Sequence, residues 1–144
     1  MKIRLAGISA LLVIALALCG LAQAAGQDSS DQDAAVQAAQ QWLALADGGQ
    51  YEANWEAAAE YFRNAVGKEQ WAQTLKAVRA PLGEVLKREL AAAQRVTELP
   101  GAPDGDYAVM SFAASFASKA QAVETVTATK EPDGVWRISG YYIR

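Results

Sequence analysis

The sequence of 144 residues contains no histidine and a single cysteine. Histidine is the side chain that most often transfers protons near neutral pH, and it is a frequent ligand of transition metals. Its absence excludes Ser-His-Asp and Cys-His catalysis, as well as zinc sites built from cysteine and histidine. Neither a glycine-rich phosphate loop nor a dinucleotide-binding fingerprint is present. The sequence therefore predicts no catalytic constellation, no metal site and no cofactor.

Clusters of basic residues are also missing. The chain has 13 lysines and arginines against 16 aspartates and glutamates, a net charge of −3, and the basic residues are scattered among the acidic ones. Binding to nucleic acid through counterion release needs clustered lysine and arginine. We therefore expect no nucleic-acid partner.

Residues 1–24 have the pattern of a signal peptide. Lys2 and Arg4 precede an apolar run at residues 5–21, and Ala22-Gln23-Ala24 supplies small residues at the spacing that signal peptidase reads. A transmembrane anchor is the alternative, although the run of about 17 residues is short and contains glycine and serine. We expect cleavage between Ala24 and Ala25, which predicts a periplasmic or secreted protein with 11 basic and 16 acidic residues, a net charge of −5.

Cys19 raises a second possibility at the same place. Leu16-Ala17-Leu18-Cys19 is similar to a lipid-attachment box, but the residue before the modified cysteine is normally small and Leu18 is bulky. We favour cleavage after Ala24, which removes Cys19, over a lipoprotein. Contact with a membrane is expected only if Cys19 is retained and lipidated.

The mature chain is predicted to have a flexible polar leader at residues 25–33 and one α+β domain at residues 34–144. Three helices come first: one capped by Asp33 and ended by Gly48-Gly49, one over residues 51–66, and one that starts near Lys68 and ends before Pro81. The leader lacks apolar groups to bury.

About four strands follow the helices. Residues 85–98 fit a strand or a helix, and we favour the strand because the next strand needs a partner. Residues 109–116 alternate with a period of two, residues 122–130 are rich in β-branched side chains, and residues 135–143 follow the turn Pro132-Asp133-Gly134. This order predicts helices packed on one side of an antiparallel sheet. We expect the tryptophans to fill the contact between the layers: Trp42, Trp55, Trp71 and Trp136.

Several stretches resemble a family of exported bacterial proteins. The resemblance covers residues 35–144 and is carried by the following segments: Trp42-Leu43-Ala44-Leu45-Ala46-Asp47-Gly48-Gly49-Gln50-Tyr51, Lys68-Glu69-Gln70-Trp71, Arg79-Ala80-Pro81-Leu82-Gly83, Leu99-Pro100-Gly101-Ala102-Pro103-Asp104-Gly105-Asp106-Tyr107, and Gly134-Val135-Trp136-Arg137-Ile138-Ser139-Gly140-Tyr141-Tyr142-Ile143-Arg144. They resemble the domain-of-unknown-function family numbered four thousand and nineteen. That resemblance implies a curved sheet wrapped against helices, the NTF2-like or cystatin-like cone, and it implies no chemistry because this fold carries many functions.

Two carboxylates are candidates for a ligand-binding or acid–base role. Asp47 ends an aromatic-rich helix beside Gly48, where a solvated helix terminus is the simpler interpretation. Glu124 lies in the middle of a predicted strand, where the outer face of the sheet is the simpler interpretation. A carboxylate in an apolar cone can have its pKa raised into the working range.

The last strand supplies the other candidates for a ligand-binding site. Arg137 could hold an anionic ligand, but we expect it to pair with an acid such as Glu124 on the neighbouring strand. Trp136, Tyr141 and Tyr142 could line a pocket, with core packing as the alternative for those that point inward. Strict alternation places Trp136 and Tyr142 on one face and Tyr141 on the other.

Two functions remain open from the sequence. The first is a non-catalytic binding or interaction module of the bacterial envelope that holds an envelope protein or a small apolar ligand. The second is a small NTF2-like enzyme that uses a buried carboxylate and a tyrosine for acid–base chemistry on a small organic substrate. The second requires a cavity with a carboxylate whose pKa is strongly raised.

Overall fold

The computed structural model describes the backbone of residues 14–144, and it describes the exposure of Gly26 and of residues 28–144. The described part has helices followed by strands, in this order: α1 (Ile14–Asp47), α2 (Tyr51–Glu56), α3 (Glu60–Ala65), α4 (Lys68–Arg79), a 3₁₀ turn (Ala80–Leu82), β1 (Val85–Val96), β2 (Tyr107–Phe116), β3 (Lys119–Lys130) and β4 (Trp136–Ile143). The predicted α+β class and its antiparallel sheet are confirmed.

Helix α1 is longer than the sequence predicted. It spans 34 residues and begins at Ile14, so the predicted start at Asp33 is wrong, and residues 25–33 are helical. Adding residues to an existing helix costs far less than nucleating one, and the alanines and glutamines here favour helix. The chain divides into the units Met1–Asp31 and Gln32–Arg144.

The predicted signal peptide lies largely outside the described residues. Residues 1–13 are outside the description, and so are the side chains of Cys19, Ala24 and Ala25. Between residues 14 and 144, none of the helices has both the length and the hydrophobicity that a membrane crossing requires.

The predicted second helix is two helices. Residues 57–59 interrupt it, because Ala58 forms a parallel bridge with Ile138 of β4 and the Ala59 N–H donates to the Ile138 carbonyl at 2.8 Å. The apolar residues of positions 51–66 still follow one helical spacing, because both short helices place apolar side chains toward the same core. The third predicted helix, α4, ends at Arg79, two residues before Pro81, as expected.

The sheet is an antiparallel meander with strand order β1-β2-β3-β4. Strand β1 confirms the interpretation of residues 85–98 as a strand. On β2, the predicted alternation is confirmed, because Met110, Phe112, Ala114 and Phe116 are all buried on the face that packs against the helices. Gly134 has a φ of 79° in the turn between β3 and β4, a value that glycine adopts without strain.

Three of the four tryptophans are buried between the helices and the sheet. Trp42, Trp71 and Trp136 are buried, and Trp55 packs against the same core with part of its ring exposed. The side chain of Asn54 links two of them, because its Nδ2 donates to the Trp42 carbonyl and its Oδ1 accepts from Trp71 Nε1, at 2.9 and 2.8 Å. The expected tryptophan contact between the layers is therefore present.

A β-bulge changes the faces of β4. Thr127 is paired with Gly140 while Ala128 is paired with Ile138, so Ser139 is an extra residue. The alternation shifts by one position beyond it. Tyr141 therefore points into the core and Tyr142 is exposed, the reverse of the assignment by strict alternation.

Candidate functional site

The carboxylate of Glu124 is completely buried on the inner face of β3. Glu124 is paired with Phe112 of β2, and residues opposite each other in antiparallel strands share a face. Its side chain is 0% exposed, so the interpretation of Glu124 as an outer-face residue is wrong. An isolated charge in such a place costs several kcal/mol, about 3–5 kcal/mol when the partner of a buried ion pair is removed. Partners must therefore compensate it.

Two arginines compensate the charge of Glu124. Arg79, at the C-terminal end of α4, donates from Nη1 to Glu124 Oε1 at 2.9 Å, and Arg88 of β1 donates from Nε to Oε2 at 2.6 Å. Both carboxylate oxygens are thus bonded to cations from different elements. Arg79 is itself 6% exposed, and its guanidinium lies 5.1 Å from the centre of the Phe116 ring.

Asp47, at the end of α1, accepts hydrogen bonds from both arginines. Arg88 donates to it from two nitrogens, at 2.6 Å to Oδ2 and 2.9 Å to Oδ1, and Arg79 donates to Oδ1. Two parallel N–H···O bonds between arginine and carboxylate form the strong bidentate geometry. Asp47 is thus a helix terminus with a side chain that is 21% exposed and is also bonded to two arginines.

Tyr141 is the fifth member. Its hydroxyl donates to Glu124 Oε1 at 2.7 Å and accepts from Arg79 Nη1 at 3.2 Å, while its ring packs 5.4 Å from the Trp42 ring. We call these five side chains the ionic cluster: Asp47, Arg79, Arg88, Glu124 and Tyr141. The cluster joins α1, α4, β1, β3 and β4, and its two positive and two negative charges cancel.

The pKa values of the cluster follow from burial and from these contacts. Burial acts to raise the pKa of Asp47, but the hydrogen bonds and charges of Arg88 and Arg79 outweigh it and hold that pKa below 3.8. Burial, followed by the charge of Glu124, raises the pKa of Tyr141 above its ordinary 10.0. Burial acts to lower the pKa values of both arginines, but their contacts raise them: those with Tyr141 and then Asp47 for Arg79, and those with Asp47 and Glu124 for Arg88. Asp47 is therefore an ionised acceptor rather than an acid poised near neutral pH.

The donors and acceptors of the cluster are used within it. A general acid or base needs a substrate atom within hydrogen-bond reach, and a binding site needs space beside its polar groups. A depression of about 650 Å³ around Ala113, Gln121 and Val123 lies on the outer face of the sheet, away from these polar groups. The bonds within the cluster connect the helices to the sheet.

The candidates on β4 divide between different places. Arg137 does not pair with Glu124 as predicted; it donates to Glu131 and Asp133 at 2.5 and 3.0 Å, around the turn that precedes its own strand. Trp136 is buried in the core, and the Arg95 guanidinium lies 5.5 Å from its ring. The structure brings Asp47, Glu124 and Tyr141 together and leaves Trp136, Arg137 and Tyr142 apart from them.

A second feature lies beside the cluster, in the groove between α4 and the end of β4. Its volume is about 200 Å³, and apolar and aromatic side chains line most of it: Trp71, Thr74, Leu75, Val78, Tyr141, Tyr142 and Ile143. Val78 and Tyr142 stand at its mouth, 39% and 56% exposed. We call this feature the α4–β4 groove, and it contains two of the tyrosines predicted to line a pocket.

Sequence reasoning missed Arg79 and Arg88, although a signal for each is present. Arg79 continues the helical row of Trp71 and Leu75 at intervals of four, which places it on the buried face of α4. Arg88 lies two residues before Leu90 on β1 and is opposite Ala114, so it shares the inner face. A buried arginine predicts a buried acid, and that inference would have pointed to Glu124.

Among residues 14–144, no group of three or more histidine, cysteine, aspartate or glutamate side chains is arranged to hold a metal ion. Asp47 and Glu124 both face arginines, whose positive charges oppose a cation at the same place.

Substitution of Glu124 by glutamine should destabilise the protein strongly. The amide removes one of the two negative charges that face the arginines, and its NH2 group cannot accept a hydrogen bond from a guanidinium, so we expect a loss of about 3–5 kcal/mol in the free energy of unfolding. Urea unfolding followed by circular dichroism measures it. Glu84→Gln, which changes an exposed glutamate next to β1, is the matched control. Equal stabilities of the two variants would contradict the role given to the cluster.

Alkaline pH should weaken the fold through Tyr141. Because the pKa of Tyr141 is raised in the folded state from 10.0, its stabilising contribution is complete below pH 10.0 and decreases as the pH rises through the folded value. The free energy of unfolding of wild type should therefore fall more steeply above pH 10 than that of Tyr141→Phe. The exposed Tyr142→Phe is the control and should follow wild type, and parallel curves for all three proteins would refute the coupling of Tyr141 to Glu124.

The comparisons with known proteins agree with the sequence resemblance. The family model described as "Protein of unknown function (DUF4019)" matches residues 38–141, well over half of the chain. No curated protein matches, and no solved structure matches. The matched range includes the whole ionic cluster and all of the α4–β4 groove except Tyr142 and Ile143. The chain belongs to the DUF4019 family of proteins of unknown function.

Proposed function

We propose that this protein is exported to the periplasm or beyond and works there as a non-catalytic module that binds an extended segment of a partner protein. The observation that carries the proposal is the α4–β4 groove, an apolar and aromatic depression along the edge of β4 that faces away from β3, where no strand of residues 14–144 pairs with β4 beyond the bridge at Ile138. Its volume of about 200 Å³ suits a single large apolar side chain.

Main-chain groups of β4 are available along this groove. Val123 of β3 exchanges hydrogen bonds at 2.9 and 3.1 Å with Arg144, the residue that follows β4. Because the direction of the main-chain groups alternates along an antiparallel strand, those of Tyr142 also point toward β3. The N–H and C=O groups of Tyr141 and Ile143 therefore point away from β3, toward the groove side of the strand. A partner segment could donate and accept hydrogen bonds there while it places a side chain in the groove.

The chain already uses the same edge in this way. The Ala59 N–H donates to the Ile138 carbonyl at 2.8 Å, and Ala58 and Ile138 form a parallel bridge. That short pairing ends before Tyr141. A partner strand would continue it past the Ser139 bulge, which supports strand addition over simple contact between flat surfaces.

The enzymatic alternative receives less support from the site. It needs a carboxylate with a raised pKa in a cavity, whereas arginines surround both candidate carboxylates and the pKa of Asp47 is lowered. Tyr141, its candidate partner for proton transfer, has a raised pKa and donates its proton to a hydrogen bond with Glu124. A neutral phenol with a high pKa is a poor base near neutral pH.

Support for export comes from residues 1–24. Their short basic start, apolar run and small residues at positions 22 and 24 fit a cleaved signal peptide.

A photo-crosslinking amino acid at position 142, in the protein produced from its full-length gene in its own cells, tests binding at the groove. We expect a covalent adduct with one envelope protein. Val78→Lys, which places a charge at the mouth of the groove, should reduce the adduct at least tenfold. Val135→Lys changes another exposed valine, 47% exposed against 39% for Val78, in the β3–β4 turn and should leave the adduct unchanged.

The outcomes separate the possible ligands. An adduct that is insensitive to Val78→Lys, or no adduct at all, contradicts binding of a protein segment at the groove, and a small apolar molecule found in the purified protein would assign the groove to that ligand instead. The intact mass of the same protein tests export: a chain that starts at Ala25 supports it. A chain that starts at Cys19 with added acyl mass means a lipoprotein, and an uncut chain contradicts cleavage.

A further inference from the structure

Strand β1 has a free edge. In the order β1-β2-β3-β4 it pairs with β2 alone, and the isolated bridge found in residues 14–144 lies at the opposite edge, between Ala58 and Ile138. Natural proteins usually protect free edges with bulges, charges or covering loops, because unpaired main-chain groups recruit other strands. Two bulges interrupt β1, at Leu86 and at Ala91, and they leave the regular stretch Lys87–Leu90 between them.

Both apolar and charged side chains are exposed on this edge. Leu86 is 67% exposed and Leu90 is 42% exposed, although leucine is normally a core residue. Between them, Lys87 and Glu89 lie on the outer face, opposite Ser115 and Ala113. Their charged groups contact each other at 3.0 Å and are 69% and 65% exposed. The two exposed leucines and the exposed pair of opposite charges give this edge both apolar and charged groups that a second strand could pair with.

The residues at positions 86–90 are self-complementary when two copies of β1 pair in antiparallel orientation. If a second β1 runs antiparallel to the first, with a two-fold axis at Arg88, then Lys87 of each copy lies opposite Glu89 of the other. Leu86 of each copy lies opposite Leu90 of the other. A two-fold contact requires such self-complementarity, because the same patch occurs on both sides. Pairs of opposite charge and of apolar side chains across antiparallel strands are the favourable ones.

The residue on the axis fits the same arrangement. Arg88 would meet Arg88 of the second copy, which would be unfavourable for two free charges. Each Arg88 is already bonded to Asp47 and Glu124 of its own chain, and its side chain is directed to the inner face. The ionic cluster therefore removes the repulsion that a two-fold axis at this position would otherwise create.

We propose that two copies of this chain associate through β1, edge to edge and antiparallel about Arg88, so that the two four-stranded sheets become one of eight strands. The central pairs are Lys87 with Glu89 of the second copy and Leu86 with Leu90 of the second copy. The contact is limited to a short stretch of strand, so we expect a reversible dimer whose population depends on concentration.

Charge exchange between two variants tests this proposal. Lys87→Glu and Glu89→Lys each break the ion pair within the chain, and each places like charges across the proposed axis. Both should sediment as monomers at concentrations where wild type is dimeric, with an apparent dissociation constant at least tenfold higher. Sedimentation equilibrium measures the masses.

An equimolar mixture of the two variants should form a heterodimer. The Lys87→Glu chain carries a negative charge at both position 87 and position 89, and the Glu89→Lys chain carries a positive charge at both positions. Each of the two central pairs across the axis then joins opposite charges, so the association that both variants lose alone should return. Native mass spectrometry identifies the heterodimer.

Recovery in the mixture separates this proposal from a purely structural role of the ion pair, since both variants lack that pair within their own chains. Circular dichroism confirms that each is folded. A wild-type protein that is monomeric from the low-micromolar to the millimolar range would overturn the proposal. Single variants that remain dimeric, or a mixture that stays monomeric, would overturn it as well. A groove that binds its partner normally in all of these variants would leave the proposed function untouched, so failures of the two proposals are distinguishable.

Discussion

Glu124 places a negative charge on the inner face of the sheet, among Phe112, Phe116 and Val126, and the surrounding elements are arranged to compensate it. The compensation comes from Arg79 at the end of α4 and Arg88 on β1, and Asp47 at the end of α1 balances the second positive charge. A buried ion pair adds little net stability over a well-packed apolar core, but removing one member is costly. The cluster therefore fixes which helix ends meet which strands, and mispacked arrangements would leave buried charges unpaired.

The positions that sequence reasoning predicted well are those where one periodicity decides the structure. On β2, alternation from Met110 to Phe116 needs no knowledge of other elements, and Pro81 limits α4 by its own covalent geometry. The site was harder because it depends on contacts between distant residues. The sequence predicts Asp47 and Glu124 as candidate site residues, but their partners come from α4 and β1, and the direction of the Glu124 side chain depends on strand register. Tyr141 and Tyr142 lie on the opposite faces from those that strict alternation predicts, because Ser139 is one extra residue in the strand.

The same cluster bears on function. On the inner face of the sheet, the carboxylates and guanidinium groups are bonded to one another. The two surfaces that we propose for recognition are at the two edges of the sheet. The α4–β4 groove lies along one edge, where Tyr142 and Val78 are exposed, and the leucines of β1 lie along the other.

The most direct test of this account is the behaviour of the two guanidinium groups in solution. Nuclear magnetic resonance of the arginine side-chain nitrogens reports rotation about the Cζ–Nη bonds and exchange of the attached protons with water. The account predicts separate, slowly exchanging Nη resonances with hindered rotation for Arg79 and Arg88, in contrast to Arg63 on the exposed side of α3. Averaged, rapidly exchanging signals for Arg79 and Arg88 would show that the cluster is not closed in solution and would contradict the account.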